Sequence, residues 1–172
     1  RYHEDGIYPQ NDKNVITTRG SGFGMMTNLV AIERNFIPRK EAAKRLATMA
    51  DFLAKSHRHH GAWSHWINGE TGKTVPFGKK DNGGDLVETA FLVQGIISVR
   101  EYFKNGNTEE KIRAQKMDEL WKGVEWNWYT KGGEKTLYWH WSPTYGWDMN
   151  FPLKGYDETL VTYILAASSP TH

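Results

Sequence analysis

Apolar positions recur at helical spacing in the first third of the chain. From Phe23 to Asn35 they fall every three or four residues, and a second periodic stretch begins at Pro38 and continues through Leu53. This spacing predicts two helices, each with one apolar face. The short NFIP segment between them predicts that the two helices form an αα-hairpin.

Three further helices are predicted from the same kind of pattern. The run LVETAFLVQGIISV predicts a helix from about Asp85 to Phe103, and because it is apolar on most sides we expect it to be buried on more than one face. Thr108, followed by two glutamates, predicts the start of a fourth helix that continues through Val124. A fifth helix is predicted from about Tyr156 to Ala167.

Two long aromatic loops separate these helices. The loop from His57 to Gly84 contains NGETGK, which predicts a turn, and residues 126–155 contain TLYWHW, which predicts a short strand. Long loops inside a compact domain are often functional. The alternation of hairpins and loops predicts an all-α array, and the unpaired fifth helix indicates that residues 1–172 are part of a larger single domain with no internal boundary.

Composition removes several function classes. The 172 residues are 38% hydrophobic and 24% charged with a net charge of +2, which is typical of a globular protein. Basic residues are scattered, so we expect no nucleic-acid partner. The chain has no cysteine, which excludes disulfides and thiolate metal sites. No apolar run approaches the roughly 20 residues that span a bilayer, and RYHEDGIYPQ does not have the pattern of a signal peptide.

Ring-bearing side chains are concentrated in the two loops. The faces of Trp and Tyr can stack on the apolar faces of sugar rings, while their polar edges bind hydroxyl groups. Core packing is the alternative for any single ring, but the set as a whole predicts a sugar cleft. Its members are Trp63, His65, Trp66, Tyr138, Trp139, His140, Trp141, Tyr145 and Trp147.

Carboxylates near two helix starts are the candidates for catalysis. Hydrolysis of a glycosidic bond needs one acid to protonate the leaving oxygen and a second carboxylate to attack the sugar or to activate water. The alternative for Asp85 and Glu88 is a capping box, in which both side chains bind backbone amides of the first helical turn. The same alternative applies to Asp157 and Glu158, at the start of the predicted fifth helix. The candidates are Asp81, Asp85, Glu88, Asp157 and Glu158.

Two other motifs are weaker. The histidines 57, 59, 60 and 65 do not have the spacing of a metal-binding helix such as HExxH, so we expect neither a metal nor a cofactor. The glycines of RGSGFG lack the strand and the Lys-Ser/Thr pair of a phosphate-binding loop. We expect them to permit a close approach at a helix start.

Several long motifs resemble a known family. GSGFGMMTNLVAIERNFIPRKEA, HGAWSHWINGETGKTVPFGKKDNGGDLVETAF, LYWHWSPTYGW and LAASSPTH are similar to the glucoamylase-like domain family, whose characterised members include endo-β-1,2-glucanases, and the likeness covers nearly the whole chain. The resemblance implies an (α/α)6 toroid or barrel, of which this chain is a portion. It also implies an inverting hydrolase without a metal, exported to the periplasm or cell surface of a Bacteroides-like bacterium.

The resemblance also assigns roles to the acids. It implies that Asp81, Asp85 and Glu88 line the cleft, that Glu158 falls at the acidic site, and that Asp157 contacts substrate where relatives carry Asn. We therefore expect cleavage of a glucan, with Glu158 or Glu88 as general acid and Asp81 or Asp85 orienting water. The alternatives are a non-catalytic carbohydrate-binding module and a structural helical repeat. A truncated barrel would also be expected to self-associate.

Overall fold

The computed structural model describes residues 13–170 of the chain. Five α-helices form within that range, and a short 3₁₀ helix covers Trp126–Thr130. The helices are α1 (Thr18–Glu33), α2 (Arg39–Lys55), α3 (Leu86–Phe103), α4 (Thr108–Lys122) and α5 (Leu160–Ser168).

The loops of the same range contain seven short strands in three small antiparallel sheets, ordered β1-β4-β5, β2-β3 and β6-β7. The all-α prediction is therefore correct for the helical core and wrong for the loops. Backbone groups in the loops need hydrogen-bond partners, and strand pairing supplies them. The strands are β1 (Val15–Thr17), β2 (Arg58–His59), β3 (Ala62–Trp63), β4 (Trp66–Asn68), β5 (Thr74–Val75), β6 (Gly84–Asp85) and β7 (His140–Trp141).

Helix α3 lies at the centre of the helical core. Helices α1, α4 and α5 all pack against it, and α2 packs against both α1 and α4. Burial on nearly every side agrees with the all-round apolar sequence of α3, and its side chains Leu92, Val93 and Ile96 are fully buried. Because α3 is held in place by its neighbours, the residues at its start are held in place too.

Two glycines let α1 and α3 approach closely. A Cβ atom on Gly22 would clash with the Phe91 carbonyl oxygen, and one on Gly95 would clash with the backbone of Gly22. Backbone atoms cannot move aside as a flexible side chain can. The glycines of RGSGFG therefore lie inside α1, and Gly22 among them serves helix packing.

Three helices have nearly the predicted bounds, whereas two begin elsewhere. Helix α1 starts at Thr18 instead of Phe23, because its glycine-rich first turns are held against α3. Helix α5 starts at Leu160 instead of Tyr156. The Asp157 carboxylate accepts hydrogen bonds from the backbone amide and the hydroxyl of Thr159, which stabilises a turn before the helix.

The small sheets set the relative positions of the two aromatic loops. Strands β6 and β7 pair in a register that places Asp85 opposite His140. Gly83 makes this approach possible, because a Cβ atom there would clash with the carbonyl oxygen of Trp141. Within residues 13–170, no helix is both long enough and apolar enough to cross a bilayer.

Candidate active site

The buried carboxylate of Asp85 lies at the centre of the predicted acidic cluster. Its Oδ1 atom accepts from the backbone amide of Glu88 at 2.9 Å and from the indole Nε1 of Trp139 at 2.9 Å. Its Oδ2 atom lies 3.1 Å from Nδ1 of His65 and 3.5 Å from Nε2 of His140. Asp85 therefore caps α3 and also orients three rings from both loops.

Two imidazoles lie between Asp85 and Asp81. Nε2 of His140 is 3.3 Å from Oδ2 of Asp81, and Nδ1 of His65 is 3.9 Å from the same oxygen. Burial alone would lower the pKa of His140, but contacts with Asp81 and Asp85 outweigh it and raise that pKa to about 9. Similarly, burial opposes the rise in the pKa of His65, and Asp85 contributes most to that rise.

The charge on Asp85 is stabilised by the same contacts. Burial disfavours its ionised form, yet hydrogen bonds with His140 and His65 hold its pKa below the usual value. We conclude that Asp85 stays ionised and that at least one imidazole beside it carries a positive charge. The cluster is thus an internal network of charges, and the ionised Asp85 has no proton to donate.

The second acidic pair is held together by Arg19, in the first turn of α1. Its Nε donates to Oε1 of Glu88 at 2.7 Å and its backbone amide donates to Oε2 at 3.1 Å. Its Nη1 donates to Oε2 of Glu158 at 2.9 Å. The guanidinium group also lies over the ring of Phe91, 4.3 Å from the ring centroid. Arg19 therefore brings acids from α3 and from the turn before α5 into one site.

The surroundings of Glu88 raise the pKa of its carboxyl group. Burial raises its pKa most, and the charge of Asp85 raises it further, while His65 and Arg19 only partly offset these effects. The side chain of Glu88 is 6% exposed and that of Glu158 is 50% exposed. The site thus joins a desolvated carboxyl group to a solvated one.

The start of α3 differs from a simple capping box. The carboxylate of Asp85 is fully buried and bound by four groups, and direct action of Asp85 on substrate stays a prediction. The capping box at the start of α3 is only half formed. Asp85 caps the helix as expected, but the Glu88 side chain binds Arg19 instead of folding back onto the cap.

Two of the predicted sugar-stacking rings are buried within the fold. Trp63 is fully buried, its Nε1 donates to the carbonyl of Leu53 at 3.2 Å, and Arg58 lies over its ring. Tyr138 is 6% exposed and its hydroxyl donates to Glu134 at 2.6 Å. Neither ring offers a free face to a ligand.

The remaining predicted rings are partly exposed and fall into two groups. One group surrounds the acidic cluster, where its rings contact the Asp85 carboxylate or one another. Its members are His65, Trp66, Trp139 and His140. Trp141 and Trp147 pack instead against Trp128. Sugar contact by these rings, by Tyr145 and by Asp157 stays a prediction.

The histidine-rich segment does not converge on one point. His60 stacks on Trp128 with ring centroids 3.5 Å apart, and Nε2 of His59 lies 2.9 Å from the Thr74 hydroxyl. Among residues 13–170, only His65, Asp81 and Asp85 bring potential metal ligands together. His140 already supplies a partner to both of these carboxylates, which suits a hydrogen-bonded charge network. The absence of a metal from the activity stays a prediction.

Two residues of the site were missed by sequence reasoning. Arg19 lies in the first turn of α1, directly before Gly20, and its only sequence signal is that position. Phe77 lies between Pro76 and Gly78 in the loop ahead of Asp81, and its ring stacks on His65 at 4.0 Å. A large open cavity of about 990 Å³ lies between the starts of α2 and α4, but none of the residues of the acidic cluster line it. We therefore place the candidate active site at the carboxylates and not at this cavity.

Comparison with known proteins supports the resemblance found in the sequence. No family model matches the chain. It is 45% identical over 183 residues to an exo-β-1,2-glucooligosaccharide sophorohydrolase (non-reducing end) from Parabacteroides distasonis, covering 100% of this chain and 25% of that protein. It also matches an endo-β-1,2-glucanase from Chitinophaga pinensis, solved as a sophorotriose and glucose complex, with 60% identity and a TM-score of 0.95.

A third relative carries the family's other name. A proposed glucoamylase from Bacteroides caccae is 58% identical with a TM-score of 0.95. Each of these two structures covers 99% of this chain, while the chain covers 41% of each of them. The chain thus spans between a quarter and about two fifths of the length of the relatives named here.

The helical core has the fold of the corresponding segments of these relatives. Over nearly its whole length the chain is similar to a segment of the glucoamylase-like proteins and β-1,2-glucanases named above.

Proposed function

We propose that the protein is an inverting glycoside hydrolase that cleaves linear β-1,2-glucan within the chain. The observation that carries this proposal is the 60% identity to an endo-β-1,2-glucanase across 99% of this chain. That match includes the segments that hold Asp81, Glu88 and Glu158. The rest of the proposal concerns how these three acids divide the chemistry.

Glu88 is the proposed general acid. Burial and the charge of Asp85 raise its pKa, which keeps a larger fraction protonated near neutral pH. In the proposed step, Glu88 gives its proton to the glycosidic oxygen as the bond between that oxygen and C1 breaks. Arg19 holds both Glu88 and Glu158, so Glu158 would contact the sugar beside the scissile bond.

Asp81 is the proposed residue that activates water. It lines an open cleft next to His65 and His140, which orient its carboxylate. Water attacks C1 from the face opposite the leaving oxygen, and Asp81 accepts the proton that the water loses. The configuration at C1 is thereby inverted from β to α. Asp85 acts through the groups that it positions.

The remaining features follow from the family. We propose that the five helices form part of an (α/α)6 toroid within a single domain that includes residues 1–172. We also propose export to the periplasm or cell surface, where polymeric glucan is accessible. The partner is a glucan oligosaccharide or polysaccharide, and the chemistry uses no metal.

A substrate screen tests the function. The whole protein should release reducing ends from linear β-1,2-glucan and not from β-1,3- or α-1,4-glucan, and nuclear magnetic resonance should detect the α-anomer as the first product. Glu88→Gln should lower kcat on the glucan by roughly 10²- to 10⁴-fold. A β-anomer as first product would contradict inversion. Binding of glucan without cleavage would instead identify a carbohydrate-binding module.

A further inference from the structure

Two buried threonines lie next to the residues that form the Arg19–Glu88 ion pair. Thr18 is the first residue of α1 and directly precedes Arg19, and Thr89 directly follows Glu88 in α3. Neither threonine has any exposed surface. Buried hydroxyl groups need hydrogen-bond partners, and both threonines find theirs in the loop that carries His65.

Thr18 holds the start of α1 against this loop. Its hydroxyl group donates to the carbonyl of Ser64, and its amide donates to the carbonyl of His65 at 3.2 Å. These two bonds extend the pairing of β1 with β4. The backbone that carries Arg19 and the backbone that carries His65 therefore lie side by side.

Thr89 holds the same loop against α3. Its hydroxyl group accepts from the Trp63 amide at 2.9 Å and donates to the Trp63 carbonyl at 3.3 Å. The loop is thus bound by the neighbour of Arg19 and, two residues earlier, by the neighbour of Glu88.

His65 in turn contacts Asp81 by two routes. Its Nδ1 lies 3.9 Å from Oδ2 of Asp81, and its ring stacks on Phe77 with centroids 4.0 Å apart. The amide of Phe77 donates to the Asp81 carbonyl at 2.9 Å. A shift of His65 would therefore act on both the carboxylate and the backbone of Asp81.

The spacing of two carboxyl groups is essential to an inverting hydrolase, which keeps them roughly 6.5–9.5 Å apart to leave room for water. In the proposed mechanism these groups belong to Glu88 and Asp81. Arg19 holds Glu88 from α1, whereas His65 contacts Asp81 from the loop. A misplacement of about 1 Å can cost roughly 100-fold in rate, so the bonds between α1 and the loop bear on kcat.

We propose that Thr18 is a positioning residue for hydrolysis, which sets the spacing between Glu88 and Asp81 by holding the His65 loop against the start of α1. Thr89 supports the same loop from α3. Because Thr18 is fully buried, it acts only through its neighbours. This inference rests on the proposed function, since it requires that these two acids react.

Thr18→Val removes the hydroxyl group and nearly keeps the shape of the side chain. In the whole protein it should lower kcat on linear β-1,2-glucan by roughly 10- to 100-fold with little change in KM, because the two acids lose their alignment in the transition state. Thr18→Ser keeps the hydroxyl group and should retain most of the activity. All rates are measured well below the Tm of each variant.

A second substrate shows which acid is displaced. A dinitrophenyl β-sophoroside needs no proton on its leaving group, but attack by water still depends on Asp81. Thr18→Val should therefore lose kcat on this substrate by a factor similar to its loss on the glucan. A loss confined to the glucan would show that Thr18 acts on Glu88 alone and would overturn the link to Asp81.

Ser56→Ala is the matched control for stability. The buried Ser56 hydroxyl donates to the carbonyl of Phe52 at 2.8 Å, at the end of α2, so its loss should lower Tm and leave kcat unchanged. The same result for Thr18→Val would overturn the inference and leave the proposed function standing. An unmutated protein that cleaves no β-1,2-glucan would reject the proposed hydrolysis and this role of Thr18 with it.

Discussion

Arg19 binds Glu88 through two different donors, its side-chain Nε and its own backbone amide, which meet different oxygens of the carboxylate. The same guanidinium group binds Glu158, a residue that lies far away in the sequence. A single residue at the start of α1 thus sets the orientation of a buried acid and of an exposed one. The positive charge of Arg19 also favours the ionised form of Glu88.

Arg19→Gln should raise the pKa of Glu88 further, because the variant lacks the positive charge that favours the carboxylate. If Glu88 is the general acid, activity falls at high pH because Glu88 loses its proton. The high-pH limb of the kcat/KM profile should therefore shift to higher pH. We also expect kcat to fall by roughly 10- to 100-fold, since both acids lose orientation. Measurement of kcat/KM against pH checks this.

Arg45→Gln provides the control for Arg19. Arg45 forms an exposed ion pair with Glu41 within α2, and its loss should leave both the profile and kcat unchanged. A profile for Arg19→Gln that keeps its high-pH limb in place would show that another group donates the proton.

Asp85→Ala should destabilise the protein by about 3–5 kcal/mol, because it leaves buried partners of a charge uncompensated. Asn107 offers a matched comparison, since it caps α4 through the Glu110 amide at 3.0 Å as Asp85 caps α3 through Glu88. Asn107→Ala should cost only about 1 kcal/mol. Urea unfolding of both variants gives the comparison, and equal losses would mean that Asp85 is only a cap.

Gly22→Ala should destabilise the protein by at least about 2 kcal/mol, because the added methyl group meets the backbone of α3 and separates the helices. Gly24→Ala lies in the same helix with nothing near its Cβ position. It should stabilise the protein by roughly 0.5–1 kcal/mol, the helix preference of alanine over glycine. Thermal unfolding of the pair measures the contrast, which vanishes if α1 and α3 are not in close contact.

The pH dependence of stability should show the charge on His140. Its folded-state pKa of about 9 lies above the ordinary value of 6.5, so folding favours proton uptake. The resulting stability is fully present below pH 6.5 and is lost as the pH rises through 9. Nδ1 of His140 is buried and has no partner within residues 13–170. We therefore expect the protonation of His140 to contribute about 1–2 kcal/mol to the free energy of unfolding, which is less than the pKa alone implies.

Comparison with His140→Gln isolates that contribution from other groups that titrate at high pH. The free energy of unfolding of the protein and of the variant should differ at pH 6 and converge by pH 10. A constant difference across that range would show that His140 is neutral in the folded protein.

Much of the helical core could be predicted because it depends on local patterns. The apolar period of α2 and the apolar run of α3 give nearly the observed bounds, and NGETGK correctly marks the turn between β4 and β5. The acids Asp81 and Glu88 could be proposed as candidates because they lie on either side of Gly83-Gly84, just ahead of and within the start of an apolar helix. The long motifs also revealed the resemblance to the glucoamylase-like family.

The remaining features depend on contacts between distant residues. Trp63 and Trp66 are both tryptophans in one loop, yet only Trp63 is fully buried, in the hydrophobic core with Arg58 over its ring. Periodicity cannot show that Gly22 faces Gly95, so the first turns of α1 were missed. Arg19 joins Glu88 and Glu158 across three segments, and no local pattern reports such a contact.

The central claim is that Glu88 donates a proton to the leaving oxygen. The most direct test measures how the effect of Glu88→Gln on kcat/KM depends on the leaving group of the substrate. On β-1,2-glucan, Glu88→Gln should lose roughly 10³-fold in kcat/KM. On a dinitrophenyl β-sophoroside, whose leaving group departs without a proton, the same variant should lose no more than about 10-fold. An equal loss on both substrates would contradict the assignment of Glu88 as the general acid.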